Sequence, residues 1–181
     1  MLDKLFIAQD AFAEYKDLSE HMDDGLMNTF IRESQVSDLI PFLGDELYLL
    51  MQNDFTPPID PDPAIWATAK YEELFNGKDY INQGKEIRMH GIQPMLTLFA
   101  YARMLDNVQL SVSRIGPVTY MEEETSNPTT QAQIKTKVIN SRAMAVRYMQ
   151  EVDAFLLAKR SDYPQWDDRS RGNKTFEFIK I

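Results

Sequence analysis

The chain has no cysteine, only two histidines and only seven glycines among its 181 residues. Without cysteine it forms neither disulfides nor thiolate metal sites, which is typical of a protein that matures in a reducing cytosol. Long apolar runs are also missing, since the stretch 95–102 is less than half of the roughly 20 residues that a membrane-spanning helix needs. The acidic N-terminus MLDKLFIAQD does not fit a signal peptide. We therefore expect neither membrane insertion nor secretion.

Residues suited to catalysis or ligand binding are sparse. His21 and His90 each lack a second ligand three or four residues away, and the glycines form neither a GxGxxG nor a Walker loop. The acidic pairs at 23–24 and 60–62 lack the spacing of a calcium loop, so helix capping and solvation account for them better. Carboxylate pairs for glycoside hydrolysis are compatible with any acidic chain. We expect no catalytic residue, no cofactor and no metal, and hence not an enzyme.

Negative charge is concentrated at the start of the chain. Residues 1–60 contain 13 acidic and 3 basic side chains, whereas residues 61–181 contain 15 acidic and 16 basic ones. An acidic surface repels the phosphate backbone of nucleic acids. It is compatible either with a protein partner that has a basic patch or with a solvated face that only aids solubility.

Hydrophobic periodicity predicts five helical segments. The first is capped by Asp23 or Asp24, and because apolar residues lie on two sides of it, it is either packed between neighbours or broken near Ser34. The fourth is apolar around most of its circumference and is predicted to be central. Four prolines in 55–63 make a stiff connector, and the polar stretch 78–90 is expected to be a loop. The five segments cover about 25–40, 41–53, 62–76, 91–107 and 129–159.

The last predicted helix has the clearest pattern. Its apolar stripe consists of Ile134, Val138, Ala145, Met149, Val152 and Leu156. A helix on the order of 45 Å long exceeds the roughly 30 Å diameter of a small domain, so it lies along an elongated molecule or packs on a neighbouring chain. Four basic residues are spread around it and do not form the single stripe that would track phosphates: Lys135, Lys137, Arg142 and Arg147.

Two further segments alternate as strands do. The arm 108–122 begins with such alternation and a Gly-Pro turn signal, which predicts a strand pair or an extended arm, and TFEFIKI closes the chain as a strand-like run. The resulting fold class is all-α: a bundle of four to five helices with one long C-terminal helix, a small extended or β-hairpin arm and a C-terminal strand-like tail. We expect a helical domain at 1–160, which includes the arm, and a tail at 161–181.

The order of several segments is similar to a known family. They are IPFLGDELYLLM, the proline-rich connector, GIQPMLTLFAYARMLDN followed by VSRIGPVTY, and a long helix that ends in VDAFLLAK. Together they resemble the helical head-tail connector proteins of tailed bacteriophages, in particular those of Bacteroidetes phages and prophages. The resemblance covers about residues 20–160 and contains no catalytic motif.

The resemblance implies a structural virion protein. Its members form a homo-oligomeric ring, commonly a dodecamer, beneath the portal protein, where the ring extends the DNA channel and offers a platform for the next neck or tail protein. Genomic DNA would pass through without specific binding, and the protein would be found in the virion neck and, during assembly, in the host cytoplasm. The alternative from another class is a small acidic helical adaptor or regulator that binds one protein partner in the cytosol.

Two sets of residues follow as candidates for these contacts. Glu122, Glu123 and Glu124 are predicted to face the channel, where like charge would discourage DNA adhesion. The tail is predicted to dock onto a neighbouring subunit, the portal or the next neck protein by strand addition or groove insertion, or else to pair with residues 108–120 of its own chain. Its contact residues would be Tyr163, Trp166, Phe176, Phe178, Ile179 and Ile181.

Overall fold

A computed structural model describes residues 4–12, 24–58, 65–107, 111–113, 116–118 and 131–166. Its helices are α1 Asp24–Ser34, α2 Ile40–Leu43, α3 Asp45–Asp54, α4 Ala69–Asn76, α5 Ile92–Asn107 and α6 Gln131–Ala158. Its strands are β1 Phe55–Thr56, β2 Ile65–Trp66, β3 Lys78–Asn82, β4 Lys85–Met89, β5 Ser111–Ser113 and β6 Gly116–Val118.

The acidic N-terminal part is a chain of short helices. The α-helix ends at Ser34 and continues without a break as a π-helical segment, Gln35–Leu39, so only the hydrogen-bonding pattern changes near Ser34. Proline 41 lies in the first turn of α2, where its missing N–H costs no hydrogen bond. Gly44 separates α2 from α3 with a φ of 82°, a conformation that glycine adopts readily.

Two buried glutamines hold the N-terminal segment against these helices. The Gln35 Oε1 accepts the backbone N–H of Phe6 at 2.8 Å, and the Gln52 Oε1 accepts that of Lys4 at 2.9 Å. Both amides also donate to the carbonyl of Lys4 and to the hydroxyl of Tyr48. These hydrogen bonds attach the N-terminal segment to the π-helical turn and to α3.

The connector and the third predicted helix differ from expectation. Helix α4 begins at Ala69, and the preceding pair Ile65–Trp66 forms β2 against β1, so the predicted helix start at 62–63 is wrong. The cause is aromatic packing: the Trp66 ring lies 4.8 Å from Phe55 and 5.1 Å from Phe75.

The stretch predicted as a loop at 78–90 is a β-hairpin. Strands β3 and β4 pair antiparallel, from Lys78 with Met89 to Asn82 with Lys85. The two turn residues, Gln83 and Gly84, have φ values of 50° and 78°, the left-handed pair that a two-residue hairpin turn requires. Only Tyr80 and Met89 of this hairpin are buried, which is why its sequence lacks the alternation of a half-buried sheet.

Helix α5 is the centre of the core, as predicted. It packs against both α1 and α6, and eleven of its side chains are buried. Helix α6 confirms the long helix predicted at 129–159. Five of the six residues of its predicted stripe are buried, and Ile134 is half-buried.

The all-α fold class is wrong. The described part of the chain contains three antiparallel two-stranded sheets, β1–β2, β3–β4 and β5–β6, and only the last of them falls in the segment predicted to be extended. The pairing of Ser111–Ser113 with Gly116–Val118 decides between the two alternatives for the arm in favour of a strand pair. The molecule is therefore a mixed fold in which helices provide the core and small hairpins lie at its edges.

Candidate functional site

The outward face of α6 is mostly uncharged, with the exposed Arg147 lying among its residues. We call the uncharged residues of this face the outer stripe and define them as Thr136, Ile139, Ala143, Gln150, Ala154 and Leu157. Spacings of three, four and seven residues put these side chains on one face, opposite the buried stripe. All six are exposed, with 56% of Ile139 and 37% of Leu157 accessible.

The N-terminal half of α6 is basic. From Gln131 to Arg147 the helix contains four basic residues and no acidic one. Arg142 pairs with Asp106 at the end of α5 at 3.3 Å, and Arg147 lies 3.8 Å from Glu151 of its own helix. Lys135 and Lys137 are exposed and have no ion-pair partner among the described residues. In this half of the helix the outer stripe is therefore bordered by positive charge. We call Lys135, Lys137 and Arg147 its basic border.

The N-terminal helices carry a second, acidic surface. Helices α1 and α6 both pack against α5. We call the exposed residues of α1 to α3 the acidic side. It combines the carboxylates of Glu33, Asp45 and Glu46 with exposed apolar side chains, and the apolar members are Leu26, Val36 and Leu49, each about half accessible.

One acidic residue of this region is committed to the fold. Asp38, in the π-helical turn, accepts hydrogen bonds from the Arg103 guanidinium at 2.8 and 3.2 Å. Burial raises the pKa of the Asp38 carboxyl above its ordinary value, while the hydrogen bond and charge of Arg103 act in the opposite direction. This pair joins α5 to the helices of the acidic side.

A groove of about 740 Å³ lies between the β3–β4 hairpin, α4 and the end of α6. Its charged groups have local partners: Lys78 pairs with Glu73 at 2.6 Å, and the Lys70 ammonium donates to the carbonyl of Asp162 at 3.2 Å. The Tyr163 hydroxyl donates to the carbonyl of Lys70 at 2.7 Å. Burial, and then the Glu73 carboxylate, raise the pKa of Tyr163, so the phenol keeps its proton.

A histidine–carboxylate pair ties the hairpin to α6. The Nδ1 atom of His90 lies 2.6 Å from the Oε2 atom of Glu151, and the His90 ring lies 4.9 Å from that of Tyr148. The same carboxylate accepts the backbone N–H of His90 at 3.4 Å. This geometry fixes the corner between β4 and α5 against α6, which is a structural role.

The described ranges contain no group of three or more histidine, aspartate or glutamate side chains that could hold a metal ion. Within the same ranges no helix is both long and apolar enough to cross a membrane.

The predicted contact residues are divided between two situations. Tyr163 and Trp166 are each 2% exposed and belong to the chain's own core, with the Tyr163 ring 6.0 Å from that of Phe155. Their predicted role as docking anchors stays a prediction, and in the single chain both side chains pack into the core. The other predicted residues lie outside the described residues: Glu122, Glu123, Glu124, Phe176, Phe178, Ile179 and Ile181.

Sequence reasoning missed the outer stripe. It consists mainly of alanine, threonine and glutamine, which do not stand out as apolar, and the prediction placed only the strongly apolar face. No signal in the sequence separates these positions from an ordinary solvated helix face, since Arg147 shares the face with them.

Fold and surfaces together define a helix-rich protein with small hairpins and a largely uncharged helix face directed outward. The sequence profile of a family of unknown function, DUF6712, matches residues 39–176. This span is most of the chain and includes both α3 and α6, and the chain belongs to that family. No curated protein and no solved structure matches the chain.

Proposed function

We propose that the protein is a structural component that associates with copies of itself, and that it serves as a head-tail connector, a ring beneath a phage portal that joins capsid to tail. The resemblance of its segments to connector proteins supports the identity of the assembly. The observation that carries self-association is the outer stripe of α6.

The outer stripe differs from ordinary surface apolar residues. Single exposed apolar side chains are normal and need no explanation. Along a helix of about 42 Å, the side opposite the core exposes Ile139 and Leu157 among small and polar residues, with Arg147 as a charged residue between them. Exposed apolar side chains on both halves of this side offer a second face for packing. Its length also suits lateral contact between neighbours better than a small ligand site.

The central helix does not share this role. The all-round apolar character of α5, which by itself could indicate a subunit contact, is accounted for by burial within the chain. Lateral contacts are therefore assigned to α6 alone.

Electron microscopy of the isolated protein, and of the protein mixed with portal particles from the same genome, tests the proposal. We expect closed rings in at least the mixture, stacked coaxially on the portal. Single particles in both samples, with no density added to the portal, would contradict the connector function.

A second candidate function is supported by the groove beside the hairpin. Ile81, which lines it, is 72% exposed, an unusual placement for an isoleucine on a two-stranded sheet. An adaptor that binds one protein partner through this groove would remain monomeric, and the same images would show only single particles.

A further inference from the structure

We propose that copies of this chain associate head to tail, with the outer stripe and basic border of α6 on one copy docking on the acidic side of the next. The inference rests on the proposed function, because it assigns the second surface of the same self-association.

The charges of the two surfaces are complementary. The α6 surface has Lys135, Lys137 and Arg147 exposed around its apolar residues, whereas the acidic side has Glu33, Asp45 and Glu46 exposed around its own. Two copies that met through the same basic surface would bring like charges together, which costs several kcal/mol at an interface. A basic surface against an acidic one is complementary, and the apolar residues on each, Ile139 and Leu49 among them, gain burial.

The two surfaces are formed by different elements, α6 on one hand and α1 to α3 on the other, so a copy that docks through one leaves the residues of the other free for the next copy. A contact between two different patches repeats from copy to copy, and it closes into a ring when the rotation between neighbours divides a full turn. A contact between identical patches would stop at a dimer. The arrangement of charge therefore predicts an extended or closed assembly.

Most of these charges are not used inside the described part of the chain, and the exception is Arg147, which lies 3.8 Å from Glu151. Lys135 and Lys137 have no ion-pair partner in the described ranges, and neither do Glu33 and Glu46. Asp38 is excluded from the docking surface because Arg103 holds it. Reversal of the unpaired charges can therefore change association without breaking an ion pair of the described fold.

Paired charge reversal tests the proposal. One variant carries Lys135→Glu and Lys137→Glu, and the other carries Glu33→Lys and Glu46→Lys. Native mass spectrometry and sedimentation at low salt would follow self-association, because a Debye length near 10 Å at 0.1 M salt already weakens exposed charge pairs. We expect each variant alone to associate at least about tenfold more weakly than the wild type.

The decisive sample is the equimolar mixture. Each variant alone presents two surfaces of like charge, but in the mixture every reversed surface finds a complementary one on the other variant. We expect mixed oligomers in which the two variants alternate, with association restored to near the wild-type level. A hairpin variant, Lys85→Glu with Arg88→Glu, makes the same change of charge elsewhere and should associate as the wild type does.

Other outcomes overturn the inference in distinguishable ways. If the wild type assembles and neither variant is impaired, the head-to-tail surfaces are wrong while the proposed function stands. If the lysine variant alone associates more tightly and the glutamate variant is unchanged, copies meet through α6 on both sides. If the lysine variant only loses affinity for duplex DNA, the basic border binds nucleic acid. A wild type that stays monomeric throughout the concentration range, with and without portal particles, contradicts both the inference and the proposed function.

Discussion

Helices α5 and α6 are neighbours that differ in how much of their apolar surface the chain itself covers. Both are rich in apolar residues, yet α5 is buried on nearly all sides, while α6 buries one stripe and exposes another. In α5 the chain itself accounts for every large apolar residue. In α6 the chain buries one face and leaves the apolar side chains of Ile139 and Leu157 exposed on the other. The apolar content of a helix therefore does not reveal an interface, whereas the part that its own chain leaves uncovered does.

A charge placed on each face of α6 in turn tests most strongly whether one face is buried and the other exposed. Met149→Asp puts a carboxylate among buried neighbours and should lower the free energy of unfolding by about 4 kcal/mol. Gln150→Asp, one residue along and exposed, should change it by less than about 0.5 kcal/mol. Urea denaturation of the two variants at low protein concentration measures both values. Equal losses would show that α6 has no distinct inner and outer faces.

A truncation compares the two helices directly. Leu96→Ala in the centre of α5 leaves a cavity and should cost about 3 kcal/mol of unfolding free energy. Leu157→Ala on the outer stripe should cost less than about 0.5 kcal/mol in the monomer, because its side chain is already partly hydrated. Thermal and urea denaturation should agree on this order, and a reversed order would place Leu157 in the core.

The pair that joins α5 to the acidic side gives a pH-dependent effect. Arg103→Met leaves the Asp38 carboxylate partly buried without its cation, which should cost about 2 kcal/mol at neutral pH. Without Arg103 the pKa of Asp38, already raised by burial, should rise further.

The sign of the pH dependence follows from that shift. A carboxyl with a raised pKa binds a proton more readily in the folded than in the unfolded protein, so acidification towards its ordinary pKa stabilises the fold. The deficit of Arg103→Met should therefore narrow between about pH 7 and about pH 4, as Asp38 becomes neutral in both proteins. The double variant Arg103→Met with Asp38→Asn lacks the titrating group. Its deficit, measured against Asp38→Asn alone, should show no such narrowing. A deficit that widens on acidification would contradict the assignment.

The smallest effect concerns the segment that follows α6. Tyr163→Phe keeps the buried ring and removes only the hydrogen bond to the Lys70 carbonyl, so we expect a loss of about 1 kcal/mol in unfolding free energy. Self-association should be unchanged, since the residue faces the chain's own core. A variant that folds normally but fails to associate would support Tyr163 as a contact residue between subunits.

The helices were predictable because their periodicity is strong. Residues 91–107 and 129–159 repeat apolar side chains at helical spacing over many turns, and no glycine or proline interrupts the second of them. The β3–β4 hairpin was not predictable, since only its Tyr80 and Met89 side chains reach the core. Its Gln-Gly turn is also a weaker hairpin signal than Asn-Gly.

Burial of the aromatic residues was the other limit. Tyr163 and Trp166 follow a long helix in a polar stretch, and the sequence alone does not show that the chain folds back to bury them. The outer stripe was missed for the converse reason, because alanine, threonine and glutamine are compatible with both an interface and a solvated surface.

Sedimentation velocity over a wide concentration range, with wild type, Ile139→Asp and Ile81→Asp compared, tests the central claim that the outer stripe is an assembly surface. Both isoleucines are exposed and both variants make the same change, so only the surface differs. The account predicts that the wild type and Ile81→Asp form the same higher oligomers, while Ile139→Asp remains a folded monomer. Oligomers of Ile139→Asp equal to those of the wild type would contradict it.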